Sequence, residues 1–162
     1  MDYLWTPWRF QYVSAASSPE QDCIFCYAAR ERRDQELLVL HRATYCLVIL
    51  NRFPYSAGHL MVAPFRHIAL LEEASAEELQ EIMQLSAQCQ KALRETYHPE
   101  GFNLGMNLGR CAGAGVVGHI HLHLLPRWSG DSNFMTVIGE TRLLPEALDE
   151  TFLKMARYFP GF

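Results

Sequence analysis

The sequence predicts an α+β fold: an antiparallel sheet of about five strands with one long helix and one C-terminal helix. Three observations lead there. Short apolar segments at residues 37–40, 45–51 and 59–63 are separated by connections of hairpin length, as in a meander. A long stretch after Ser75 carries apolar residues at helical spacing. Residues 118–126 alternate histidine with aliphatic side chains, the period of two that belongs to a strand.

Taken in order, residues 1–18 read as irregular, with Trp5-Thr6-Pro7-Trp8-Arg9 an aromatic cluster that packs on the surface of the domain. Asp22-Cys23-Ile24-Phe25-Cys26 opens one or two helical turns running into Arg30-Glu31-Arg32. Strands follow at 37–40, 45–51 and 59–63, rich in β-branched and aromatic residues, the second ending at Arg52-Phe53-Pro54. Ser75-Ala76-Glu77-Glu78 is a capping box, and it starts a helix whose stripe is Leu79, Ile82, Met83, Ser86, Cys89, Leu93 and Tyr97, until Pro99-Glu100-Gly101 stops it. That stripe is read as core packing. Strands at 102–107 and 119–125 are joined by the glycine-rich Gly109–Gly115 stretch, and a last helix spans about 145–158 with Leu148, Phe152, Met155 and Ala156 inward.

Composition narrows the function. With 162 residues and a 49% hydrophobic content, one domain with a sizeable core is expected: an N-terminal segment at 1–36 bearing Cys-x-x-Cys, a core at 37–140, and a helix and tail at 141–162. A net charge of −4 lacks the basic excess of a protein that tracks polymeric nucleic acid. No apolar run reaches the length of a membrane span and the first residues lack a secretory pattern, so a cytoplasmic protein is expected. Five cysteines, unevenly spaced, do not make a disulfide scaffold; Cys46, Cys89 and Cys111 read as incidental or buried thiols.

The chemistry concentrates in His119, His121 and His123. On a strand their imidazoles share one face, with Ile120, Leu122 and Leu124 on the other. A lone histidine is as readily a satisfied core residue, but three in strict alternation behind a glycine-rich stretch are not. The outer two lie roughly 13 Å apart on an extended chain, against a zinc–nitrogen bond of about 2.0–2.1 Å. All three therefore cannot ligate one ion. Nucleophilic and acid–base chemistry on a bound anion is the remaining use.

The pattern His-apolar-His-apolar-His-apolar-apolar resembles the signature of the histidine triad (HIT) family of nucleotidyl hydrolases and transferases. The resemblance extends to Leu47-Val48-Ile49-Leu50-Asn51, to residues 58–64, to Arg66-His67-Ile68 and to Met106-Asn107-Leu108-Gly109. The opening Trp5–Arg9, the Cys23/Cys26 pair and the stretch after Pro126 are similar to the bacterial diadenosine tetraphosphate phosphorylase branch. The resemblance implies that His121 is the nucleophile, its second ring nitrogen held by a backbone carbonyl. It also implies that His123 and His59 line the phosphate pocket, that Asn51 meets the ribose hydroxyls, and that Asn107 lies near the phosphates or leaving group. Backbone amides of Gly113, Ala114 and Gly115 are candidates for an anion cradle. Many members have Ser, Thr or Gln just before the first histidine, where this chain reads Gly115-Val116-Val117-Gly118.

Cys-x-x-Cys alone is a modest signal, open to redox chemistry or to free thiols. With His67 and His119 it forms a set of two thiolates and two imidazoles suited to tetrahedral zinc, and the resemblance to the bacterial branch implies that Cys23, Cys26, His67 and His119 hold a structural zinc ion. No organic cofactor is expected. The expected activity is cleavage of a dinucleoside polyphosphate through nucleotidyl-His121, most readily by phosphorolysis. Alternatives are a hydrolase or phosphoramidase of the same family, or a non-catalytic adenine-nucleotide sensor. The resemblance also implies a homodimer.

Overall fold

The computed structural model describes residues 23–131, 136, 138–139 and 146–159. The expectations for residues 1–22, including the Trp5–Arg9 cluster, and for the start of the last helix at Pro145 lie outside the described residues. Four α-helices are described: α1 (Ile24–Arg30), α2 (Asp34–Leu37), α3 (Ala76–Tyr97) and α4 (Leu148–Ala156). The strands are β1 (Val39–Arg42), β2 (Cys46–Leu50), β3 (Leu60–Pro64), β4 (Gly101–Gly105) and β5 (Leu122–Arg127). They form one sheet in the order β1-β2-β3-β5-β4, every neighbouring pair antiparallel. None of the described helices is long and apolar enough to cross a membrane.

The central strands are buried along their whole length, Cys46–Leu50 and Leu60–Pro64 alike, and α3 packs across β3 and β5. The capping box of α3 forms as the sequence requires: the Glu78 amide donates to Ser75 Oγ at 3.2 Å and the Ser75 amide to the Glu78 carboxylate at 2.8 Å. Arg66 forks onto that same carboxylate at 2.6 and 2.8 Å, tying the segment after β3 to the helix start. The stripe of α3 is rotated from the expected one. Ile82, Ser86, Cys89 and Leu93 are buried as expected, but Leu85 and Ala92 join them and Met83 is 60% exposed. The difference amounts to one helical position, within the apolar arc of an amphipathic helix.

Several strand boundaries differ from expectation, the strand expected at 102–107 being Gly101–Gly105, and two of the differences bear on the site. Residue 37 ends α2, and Leu38 takes a left-handed conformation (φ 62°) before β1 begins. More consequentially, the strand expected over 119–125 begins only at Leu122. Its ladder with β3 stops at the Val62–Leu122 pair. Beyond that point the Pro64 carbonyl faces the His119 ring, and the Ile120 amide donates to the Ile68 carbonyl at 2.8 Å. Residues 119–121 are thus extended but bonded to the segment after β3. The expected side-chain alternation survives, because extension alone produces it.

Candidate active site and metal centre

The histidines separate into two clusters. In one, His59 precedes β3, His123 lies on β5 opposite Met61, and His121 stands one residue before β5. The His121 and His123 rings meet edge to face at 4.7 Å, and those of His59 and His123 lie 5.1 Å apart. Gly58, at φ +74°, makes the turn into His59; a β-carbon there would come within 2.7 Å of Leu93 Cδ2, so the close packing of α3 behind the cluster requires glycine.

Hydrogen bonds assign the protons. His121 Nδ1 lies 2.8 Å from the His119 carbonyl, which only accepts, so Nδ1 carries the proton and Nε2 keeps its lone pair. No buried side-chain nitrogen or oxygen among the described residues lacks a partner, and the His121 bond runs through Nδ1 alone, so Nε2 opens to the surface. Around His59 the Tyr55 amide donates to Nδ1 at 3.2 Å, and Asn51 Nδ2 stands 3.3 Å from the same atom. His59 therefore holds its proton on Nε2 and donates it to His123 Nδ1 at 2.9 Å, which leaves the His123 proton on Nε2. Burial first, then the neighbouring His123 and His121 rings, hold His59 down at about 3. Burial also lowers His121, against the opposing pull of the His119 carbonyl. The cluster sets an accepting nitrogen beside a donating one.

The second cluster joins Cys23 and Cys26, at the start of α1, to His67 and His119. Their ligand atoms all lie within 4.8 Å of one another. Cys26 Sγ is 3.2 Å from His67 Nδ1, and Cys23 Sγ is 3.3 Å from His119 Nδ1. Ligands of a tetrahedral zinc ion stand roughly 3.3–3.8 Å apart; the donor set suits a closed four-ligand site, and its shortest contacts are close to that spacing. His119 donates from Nε2 to the Pro64 carbonyl at 2.8 Å, which fixes the tautomer that turns its Nδ1 lone pair toward the thiols. A β-carbon on Gly118 would lie 3.1 Å from His67 Nε2, a tight contact, so the glycine leaves room for that ring.

Other expected residues fall as follows. Asn51 is anchored by accepting from the Phe53 amide at 2.9 Å, and Asn107 leans on the glycine loop, 3.5 Å from the Gly113 carbonyl. His119, expected among the catalytic groups and the metal ligands alike, has Nε2 on the Pro64 carbonyl and Nδ1 against the thiols, and it reaches His121 through its carbonyl. In the loop expected to cradle an anion, two of the three amides are engaged within the loop. The Gly113 amide donates to the Arg110 carbonyl at 3.0 Å and that of Ala114 to the Gly109 carbonyl at 3.4 Å, because the loop closes on itself as a 3₁₀ turn over Arg110–Ala112. Of the three amides, only that of Gly115 stays outside this closure.

Two contributors were not singled out from the sequence. Phe25 is fully buried between the two cysteines, its ring 4.8 Å from that of His121 and 5.1 Å from that of His119. Tyr55 lays its ring 4.7 Å from His59. The aromatic residue inside Cys-x-x-Cys was visible as a signal for Phe25; nothing marked Tyr55, which acts partly through its backbone.

The chain is 36% identical over 157 residues to an AP-4-A phosphorylase of Mycobacterium tuberculosis, covering 91% of this chain and 79% of that one. It is 33% identical over 105 residues to an adenosine 5'-monophosphoramidase of Schizosaccharomyces pombe, covering 65% and 74%. A crystal structure of a Zn-bound histidine triad family protein from Mycobacterium smegmatis superposes with a TM-score of 0.67 at 26% identity, covering 86% of this chain and 94% of that one. The model of the HIT domain matches residues 32–130, so the chain belongs to the HIT domain family.

Proposed function

We propose that this protein is a nucleotidyl-transferring enzyme that cleaves dinucleoside polyphosphates, diadenosine tetraphosphate foremost, through a covalent nucleotidyl-His121, with phosphate as the second acceptor. The observation that carries the reading is the proton assignment: His121 Nδ1 is pinned to the His119 carbonyl while Nε2 opens outward beside His123. A pure nucleotide sensor has no need of an oriented lone pair. The similarity to an AP-4-A phosphorylase over most of the chain supports the substrate class.

The steps follow from that arrangement. His121 Nε2 attacks an α-phosphorus of diadenosine tetraphosphate, forming a P–N bond as the P–O bond to the rest of the molecule breaks; AMP stays on the histidine and ATP departs. The proton on His123 Nε2 offsets the charge gathering on the phosphoryl oxygens, and the Tyr55–His59 chain holds His123 in that tautomer. Phosphate then attacks the nucleotidyl-histidine and leaves as ADP. Asn51 meets the ribose through the second lone pair of its Oδ1, and Asn107 and the Gly115 amide lie toward the phosphates.

Cys23, Cys26, His67 and His119 would hold a zinc ion, and it would supply a structural cross-link between α1 and the segment entering β5. The protein acts as a homodimer, a reading supported by the exposed edge strand β4 with Leu104 39% accessible.

Incubation with diadenosine tetraphosphate, with and without phosphate, tests the activity. ADP and ATP formed only with phosphate are expected. AMP and ATP formed regardless of phosphate would identify a hydrolase. The phosphoramidase reading, favoured by the similarity to the fission-yeast enzyme, predicts faster release of AMP from adenosine phosphoramidate than from the dinucleotide. Binding without turnover of any of these would sink the enzymatic reading.

A further inference from the structure

The two thiols of the metal centre come from α1, a helix of only seven residues, while the two imidazoles come from the sheet side. A helix so short has little stability of its own. Its last carbonyls would ordinarily be left to water. Here one side chain takes them. Arg42, at the end of β1, donates from Nη2 to the Ala28 and Glu31 carbonyls, each at 2.7 Å, and from Nη1 to the Ala29 carbonyl at 3.2 Å. The same guanidinium grips the Asp34 carboxylate through Nε at 3.0 Å and Nη2 at 2.6 Å. Its side chain is 11% exposed and that of Asp34 31%. The cation also sits at the negative end of the helix dipole.

This places a strut, three carbonyls held beside one carboxylate, between the far end of α1 and the sheet whose third strand, through the Pro64 carbonyl, orients His119. Cys26 lies two residues before Ala28, within the same two helical turns. We propose that Arg42 is a positioning residue of the metal centre: by clamping the C-terminal carbonyls of α1 it holds the Cys23/Cys26 pair at ligating distance from His67 and His119. The inference rests on reading that cluster as a zinc site. It predicts that metal affinity depends on a residue that touches no ligand atom, as outer partners of metal ligands commonly tune affinity by about 10–100-fold. Lysine offers a compact point charge in place of the planar fork, so Arg42→Lys restores only part of the loss.

The test uses the full chain and two probes, zinc by competition with a chromophoric chelator and cobalt by its thiolate charge-transfer and tetrahedral visible bands. Arg42→Met is expected to lose about 10–100-fold in zinc affinity and to weaken the cobalt bands, with Arg42→Lys intermediate and Asp34→Asn losing several-fold. A core variant such as Leu93→Ala, remote from the centre, controls for general loss of stability. Unchanged affinity in Arg42→Met, or an equal loss in Leu93→Ala, overturns the proposal while the metal centre stands. If Arg42→Met does not fold, Asp34→Asn decides it, unchanged affinity there being the overturning result. No uptake of either metal by the unsubstituted chain would remove the centre itself and the proposal with it.

Discussion

His119 and His121 are two residues apart on one extended segment, carry the same side chain, and are both buried, yet they hold their protons on opposite nitrogens. His119 gives Nε2–H to the Pro64 carbonyl and turns Nδ1 to two thiols. His121 gives Nδ1–H to the His119 carbonyl and turns Nε2 outward. Neither choice belongs to imidazole itself, whose tautomers lie close in energy. Each is imposed by a backbone carbonyl that accepts and cannot donate. What distinguishes the two rings is therefore which ring nitrogen a carbonyl reaches first, and His119 serves both clusters, its ring in one and its carbonyl in the other.

The most direct way to break this comparison is His121→Asn. If the outward nitrogen is the nucleophile, turnover of diadenosine tetraphosphate falls by roughly six orders of magnitude, the scale on which removal of an enzyme's nucleophile acts. Nucleotide binding persists. Nucleotide release at near-original rates from this variant would place the chemistry elsewhere. A smaller effect probes the other cluster. Removing metal with a chelator, or replacing Cys26 by Ser, frees the thiol side of His119 but leaves its bond to Pro64. An ion present at a thousand times its dissociation constant stabilises the folded state by about 4 kcal/mol. Thermal unfolding followed with and without added zinc is expected to show a shift of that order, and the shift disappears in Cys26→Ser.

Much of the fold was legible because it rests on local pattern. The capping box, the order of the apolar segments and the alternation through Leu124 each follow from periodicity, and each appears in the structure. The composition of the metal cluster was legible too, through Cys-x-x-Cys and the resemblance. The tautomers were not, for they depend on which carbonyl lies within 3 Å of a ring, a property of register. Arg42 escaped notice for the same reason: its partners at Ala28, Ala29 and Glu31 are backbone oxygens that no residue type advertises. How the glycine-rich loop spends its amides was not legible either. Glycines at 109 and 113 do adopt positive φ, but they use that freedom to close the loop on its own amides, so glycine content alone did not specify an anion site.

The smallest effect sharpens the comparison at His59, the neutral member of the reactive cluster. Its folded value of about 3 lies below the 6.5 of an unfolded histidine, so the fold favours the unprotonated ring. Above pH 6.5 both states are neutral there and the contribution to stability is complete. As pH falls through 6.5 the unfolded chain takes up a proton that folded His59 refuses, and stability declines by about 1.4 kcal/mol per pH unit until the folded ring also titrates near 3. Between about pH 7.5 and about pH 5 the loss from this residue is therefore about 2 kcal/mol, and it does not depend on the folded value so long as that stays well below 5. His59→Gln keeps an N–H for His123 and cannot titrate. Urea unfolding across this range should give a pH dependence shallower by about one proton in the variant than in the parent, with the remaining histidines common to both. Parallel slopes would mean that His59 protonates as readily in the folded chain as in the unfolded one, and the donor chain from Tyr55 through His59 to His123 would lose the neutral imidazole on which it is built.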